Sequence, residues 1–169
     1  MNWARAYLIV LLLGAHPADA QSCVTMPRTA LDIVAFRILD SLQHEGIDNV
    51  FYYAVRTVTK WGYSEVLLRS GKRLTKMTLT ETIDGTISRT RQHIRRSAAM
   101  DYFYKARVDT VTTEPKTEVV VTHSPVHVVY ARRAGKEYCF GIHDFELADS
   151  SHPRAHMVLL LRKSKHRSG

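Results

Sequence analysis

After Gly46 the apolar pattern of this chain changes from a repeat of three to four residues to a repeat of two, and that change limits the folds open to it. Before the change, Leu31, Val34, Ala35, Ile38 and Leu42 form one helical stripe. Thr29 and Asp32 open it as a Thr-x-x-Asp start, and Gly46 is a natural stop. One amphipathic helix over about 29–45 follows. After the change, β-branched and aromatic residues gather in short stretches near 50–59, 63–69, 73–81, 84–92, 101–111, 117–123, 126–132, 136–143 and 155–162. Val126, Val128 and Tyr130 alternate with His127, Val129 and Ala131. Tyr102, Tyr104, Ala106 and Val108 alternate with Lys105, Arg107 and Asp109. Ser70-Gly71, Asp84-Gly85, Glu114-Pro115, Ser124-Pro125 and Ala134-Gly135 supply the turns between them. This is the pattern of a mainly β domain, with eight or nine half-buried antiparallel strands and one N-terminal helix. Such strands close into a barrel or stack as a sandwich. No βαβ alternation is visible, which argues against a parallel sheet.

Residues 1–20 read as a secretory signal peptide. Arg5 supplies the positive charge, Ala6–Gly14 the apolar run, and Ala18-Asp19-Ala20 the cleavage site. The apolar run is too short to cross a bilayer. The mature chain is then expected to start at Gln21, to be secreted and extracellular, and to form one domain over 21–162. A basic, disordered tail over 163–169 follows it. In an oxidising compartment the two cysteines, Cys23 and Cys139, are expected to form one disulfide. The bridge would contribute roughly 4–5 kcal/mol by closing a long loop. Two free thiols are the alternative. Asn49 is followed by Val50-Phe51, so no glycosylation sequon arises there. The net charge is +8, and a basic secreted protein can meet glycosaminoglycan, phospholipid, nucleic acid or acidic ligands. A solvated surface kept from neutrality is the plainer account.

Catalytic motifs are missing from the sequence: no Gly-x-Ser-x-Gly elbow, His-Glu-x-x-His, phosphate loop or Cys-x-x-Cys. The chain is therefore expected not to be an enzyme, and no cofactor or metal is expected. His123 with His127, or His152 with His156, joined by His143, is the weaker metal-site reading. The aromatic residues are more suggestive. In a barrel, Tyr53, Trp61, Tyr102, Tyr104 and Tyr130 would offer flat apolar walls with polar handles, against ordinary core packing as the alternative. Arg56 is the strand-borne cation chosen to meet a ligand's anionic group; Arg69, Arg91 and Arg107 have similar placements. Glu65, Glu81, Asp101, Asp109 and Glu118 are the candidates to hold an amine.

Asn49–Thr59, with its Tyr52-Tyr53 pair, then Trp61-Gly62, the stretch Val126–Tyr130, the cysteine-bearing Lys136–Ile142 and His156–Leu161 together resemble the lipocalin superfamily. The similarity is greatest to the salivary lipocalins of ticks, the group that includes the histamine-binding proteins. The chain departs from that group in lacking a Gly-x-Trp near the first strand, and a C-terminal helix with its cysteine is not expected from the sequence. The resemblance implies an up-and-down barrel. It also implies stoichiometric capture of a small hydrophobic or amphipathic mediator, such as a lipid, an eicosanoid or a biogenic amine, by a monomer released into saliva. A contact between the basic tail and an anionic surface, with no specific nucleic-acid partner, completes the expectation. A cystatin-like protease inhibitor and a cationic surface binder are the competing readings.

The disulfide can be checked directly. An alkylating reagent applied to the native secreted protein is expected to leave Cys23 and Cys139 unmodified, and to add to both only after reduction; modification of both before reduction contradicts the bridge.

Overall fold

The computed structural model describes residues 29–57, 63–117 and 124–165. Helix α1 spans Ala30–His44. It begins at a reciprocal cap, in which the Thr29 hydroxyl accepts from Asp32 N–H and the Asp32 carboxylate accepts from Thr29 N–H at 2.7 Å. Leu31, Ala35, Leu39 and Leu42 form its buried stripe. The chain turns away at Gly46, whose φ of +74° suits a residue without a Cβ.

Six strands follow: β1 (Val50–Arg56), β2 (Tyr63–Ser70), β3 (Arg73–Glu81), β4 (Ile87–Ile94), β5 (Val126–Arg133) and β6 (Lys136–His143). All pairings are antiparallel, in the order β4-β3-β2-β1-β5-β6. The protein is thus mainly β, as the alternation implies. The barrel is not what forms: among the described residues the sheet is open, with β4 and β6 as its edges.

Two expected strands are helices. Ala98–Lys105 is helix α2, followed by a 3-10 turn at Val108–Thr110, where a strand over 101–111 was expected. The Ser97 hydroxyl caps Met100 N–H, and Ala99, Met100 and Phe103 make a helical rather than an alternating buried set. Pro153–Lys165 is helix α3, where a strand over 155–162 was expected. Pro153 sits at the first helical position, and Ala155, Met157, Val158 and Leu161 are its buried residues. The run Val158–Leu161 reads equally as strand or buried helix by periodicity, and the proline start decides it. The helix continues through Lys165 into the expected tail. The expected strand at 117–123 lies almost wholly outside the described residues.

The helices divide between the two faces of the sheet. On one, α1 packs on Val50, Tyr52, Ala54, Val66, Leu68, Met77, Leu79 and Tyr130. On the other, α2, α3 and a 3-10 turn at Asp144–Ala148 pack on Phe51, Tyr53, Leu67, Val129, Phe140 and Ile142. Strand β1 is therefore buried on both faces from Val50 to Ala54, which accounts for its lack of charged residues there. Cys139 lies on the α1 side of β6, in register with Tyr130; Cys23 lies outside the described residues.

Buried charge fastens α1 at both ends. Asp32 is fully buried and accepts from Tyr52 Oη as well as from Thr29, while Arg56 Nη2 lies 3.0 Å from its Oδ2. Toward the other end, the Arg132 guanidinium donates to the Leu39 carbonyl and to Gln43 Oε1, each at 2.9 Å. Removing one partner of such a pair strands the other in low dielectric. Asp32→Ala is therefore expected to cost about 3–5 kcal/mol, with Asp32→Asn costing less because it keeps hydrogen-bonding capacity. Urea unfolding checks this, and a change in midpoint no larger than that of an exposed control substitution contradicts it.

Candidate functional site: a cleft at the end of the sheet

A half-open cleft of about 500 Å³ lies where the start of α1, the end of β1, the beginning of β2 and the β3–β4 turn meet. Leu31, Ala54, Val55 and Ile83 give it apolar walls, while Thr29, Thr57 and Thr82 add hydroxyls. Among the described residues its charged ones are Arg56, Glu81 and Asp84.

Each is held differently. Arg56 points back to the buried Asp32, so the pair is nearly neutral, although Arg56 Nε is buried without a hydrogen bond. Asp84 is exposed in the β3–β4 turn, where Gly85 has φ +80°. The Thr82 hydroxyl first, then the Thr86 N–H and hydroxyl, donate to its carboxylate and hold its pKa below the usual range. With Arg56 offset by Asp32, Glu81 and Asp84 leave the rim acidic. Ile83 stands 77% exposed between them. Tyr63 forms another wall and donates to Glu65, which also pairs with Lys76 at 2.5 Å. Burial, then the Glu65 carboxylate, pushes the Tyr63 phenol far up, so this wall stays an uncharged hydroxyl.

Of the five described residues expected to bind a ligand, the cleft gathers one, Arg56. Tyr53 is buried on the α2/α3 face, and Tyr130 lies on the α1 face, donating to Glu137 Oε1 at 2.7 Å. Tyr102 and Tyr104 belong to α2 rather than to a strand. Tyr102 packs on His156, and Tyr104 donates to Asn49 Oδ1 beneath the Arg133 guanidinium. Trp61 lies outside the described residues. The expected convergence fails because it presumed one closed interior, whereas an open sheet sends alternate residues into two separate layers. Among the candidate anionic residues, Glu81 reaches the cleft and Glu65 is locked in its buried pair. Ile83 and Asp84 were passed over because Asp84-Gly85 reads as a plain turn; nothing local marks a turn as a rim. The Thr29/Asp32 motif was legible as a cap, but not as the support of Arg56.

A second polar chain crosses the opposite face. Tyr53 Oη lies 3.0 Å from His127 Nδ1, His127 Nε2 lies 3.0 Å from Asp144 Oδ1, and Arg162 Nη1 lies 2.8 Å from the same oxygen. The consistent assignment has neutral His127 donating through Nε2 to Asp144 and accepting through Nδ1 from the tyrosine. The chain ties β1 and β5 to the 3-10 turn and to α3. Desolvation lowers the His127 pKa, against the raising effect of Asp144. Of the other histidines in the weaker metal-site reading, His152 bonds Thr113 and His143 stacks on Phe145, while His123 lies outside the described residues. Among the described residues no group of three His, Cys, Asp or Glu is placed to hold a metal ion.

A histidine with a folded pKa below its unfolded value favours the neutral native state. Its contribution is complete above the ordinary value of about 6.5 and is lost as pH falls below it. Urea midpoints for the wild type should therefore fall more steeply from pH 7 to 5 than those of His127→Gln; parallel curves contradict this role.

No protein-family model and no curated protein sequence matches this chain. Neither comparison therefore supports or replaces the lipocalin resemblance.

Proposed function

We propose that this protein is an exported carrier that captures a small amphipathic molecule in the cleft at the end of its sheet. The observation that carries the reading is the makeup of that cleft. Apolar walls at Leu31, Ala54, Val55 and Ile83 lie beside an acidic rim at Glu81 and Asp84, and Tyr63 lines the same cleft. Apolar burial would supply most of the affinity, and a few fixed polar groups would set orientation. The rim favours a ligand whose polar end carries an amine over an anionic lipid. No catalytic step is part of this reading, and capture would be stoichiometric. The lipocalin likeness enters as strategy: an exported, β-rich chain with a small-molecule site at one end of its strands. Its eight- or nine-stranded barrel is not required.

A cystatin-like inhibitor is the second reading, favoured by a helix lying across an antiparallel sheet. A second helical layer and six strands weigh against it.

Native mass spectrometry of the secreted protein, after exposure to mixed amphipathic amines and fatty acids, is expected to retain an amine. Ile83→Asp should weaken retention by roughly tenfold or more, the equivalent of unburying one large aliphatic side chain. Retention of neither class, or an amine affinity unaffected by both Ile83→Asp and Glu81→Gln, overturns the proposal.

A further inference from the structure

Among the described residues strand β4 is an edge strand bonded to β3 alone, and its six inner residues, Ser88–His93, are all exposed. Arg89 and Arg91 lie in register with Leu79 and Met77, and His93 with Thr75. Those three side chains therefore share the face on which α1 packs, spaced about 7 Å apart along the strand. Arg95 and Arg96 follow immediately and are exposed. The pairing of Leu74 with Ile94 brings Lys72 and Arg73, also exposed, beside them. Arg96 is paired with Asp101 at 2.6 Å, and one Arg89 nitrogen rests on Met77 Sδ. Among the described residues no carboxylate lies within ion-pair distance of Arg89, Arg91 or Arg95.

A charged edge protects a sheet from pairing with another sheet. The other edge, β6, meets the same hazard with mixed signs, Lys136 beside Glu137. The unmixed row on β4 exceeds that need. Arginine forks suit sulfate and carboxylate groups bidentately. An extended row of them matches an extended polyanion better than a compact one. No Phe, Tyr or Trp lies between Asp84 and Ala98 to stack on bases. The exposed Ile83, the residue best suited to enter a bilayer, lies beyond the opposite end of the strand from Arg95.

We infer that β4 and the turn beside it form a docking strip for a sulfated glycosaminoglycan, separate from the ligand cleft. The strip would hold the protein in extracellular matrix while leaving the cleft open. Export is the premise it shares with the proposed function; it does not depend on what the cleft binds.

The probe is a heparin-derived oligosaccharide titrated against the full secreted chain at several salt concentrations. Replacing Arg89, Arg91 and Arg95 together by Ser is expected to weaken binding about tenfold or more near physiological salt. The slope of log affinity against log salt should fall by roughly two to three. A control with Lys105, Lys136 and Lys163 replaced by Ser loses the same charge and should stay within about twofold of wild type. Equal losses in both variants would mean net charge alone is read, and would overturn the inference. So would tighter binding to phosphatidylserine vesicles or to duplex DNA than to the oligosaccharide. Should the triple variant not fold, hydrogen exchange on wild-type protein decides the matter. Protection by the oligosaccharide over 88–96 supports the strip, and protection confined to other segments refutes it.

Discussion

The buried carboxylate of Asp32 is the contact on which the rest of the arrangement depends. It closes the first turn of α1 through Thr29, accepts from Tyr52 in the middle of β1, and neutralises Arg56 at the end of that strand. One group thus fixes where the helix starts, how it lies on the sheet, and the charge of a cleft wall. Taking an ion out of water is costly, and the arrangement offsets that cost by giving the carboxylate several donors. It also lifts the Tyr52 phenol far above its ordinary range, chiefly through burial and next through the carboxylate itself. The result is a helix whose position is set by directional bonds as well as by its apolar stripe.

The opposite face solves the same problem with a chain rather than a hub. Tyr53, His127, Asp144 and Arg162 pass from β1 through β5 to the surface of α3. Arg154 supplements them: it is buried, donates to the Val111 carbonyl and to Glu114, and so holds the segment before β5 against α3. Each face therefore has its own buried polar device. Neighbouring residues of one strand, Tyr52 and Tyr53, serve the two faces separately.

Much of the fold was legible in the sequence. The helix over 29–45 and the strands near 63–69, 73–81, 126–132 and 136–143 follow from period and turn chemistry, and they lie within a residue or two of those positions. What could not be read was which layer covers which face. Tyr102 and Tyr104 alternate like strand residues, yet Ser97 caps a helix through them, because tertiary burial of Met100 and Phe103 overrides β propensity. Pro153 carried the signal for α3, and the apolar run after it obscured that signal. The candidate site was legible only at Arg56 and Glu81. Its other parts come from a helix cap and a hairpin turn that are brought together only when α1 lies down on the sheet.

The position of β1 has a kinetic consequence. It is buried on both faces, and its second neighbour, β5, arrives late: Tyr53 and His127, bonded in the native protein, are 74 residues apart. Until residues 126–133 are available, the β1–β4 meander carries an unpaired apolar edge, Val50 to Val55. Such a long-range closure is slow compared with forming the local hairpins. Nascent chains leaving a ribosome would therefore pass through a state with that edge open, the kind of surface that chaperones cover and that promotes aggregation at high concentration. Yield on expression should thus track the speed of β5 docking more closely than the stability of the finished fold.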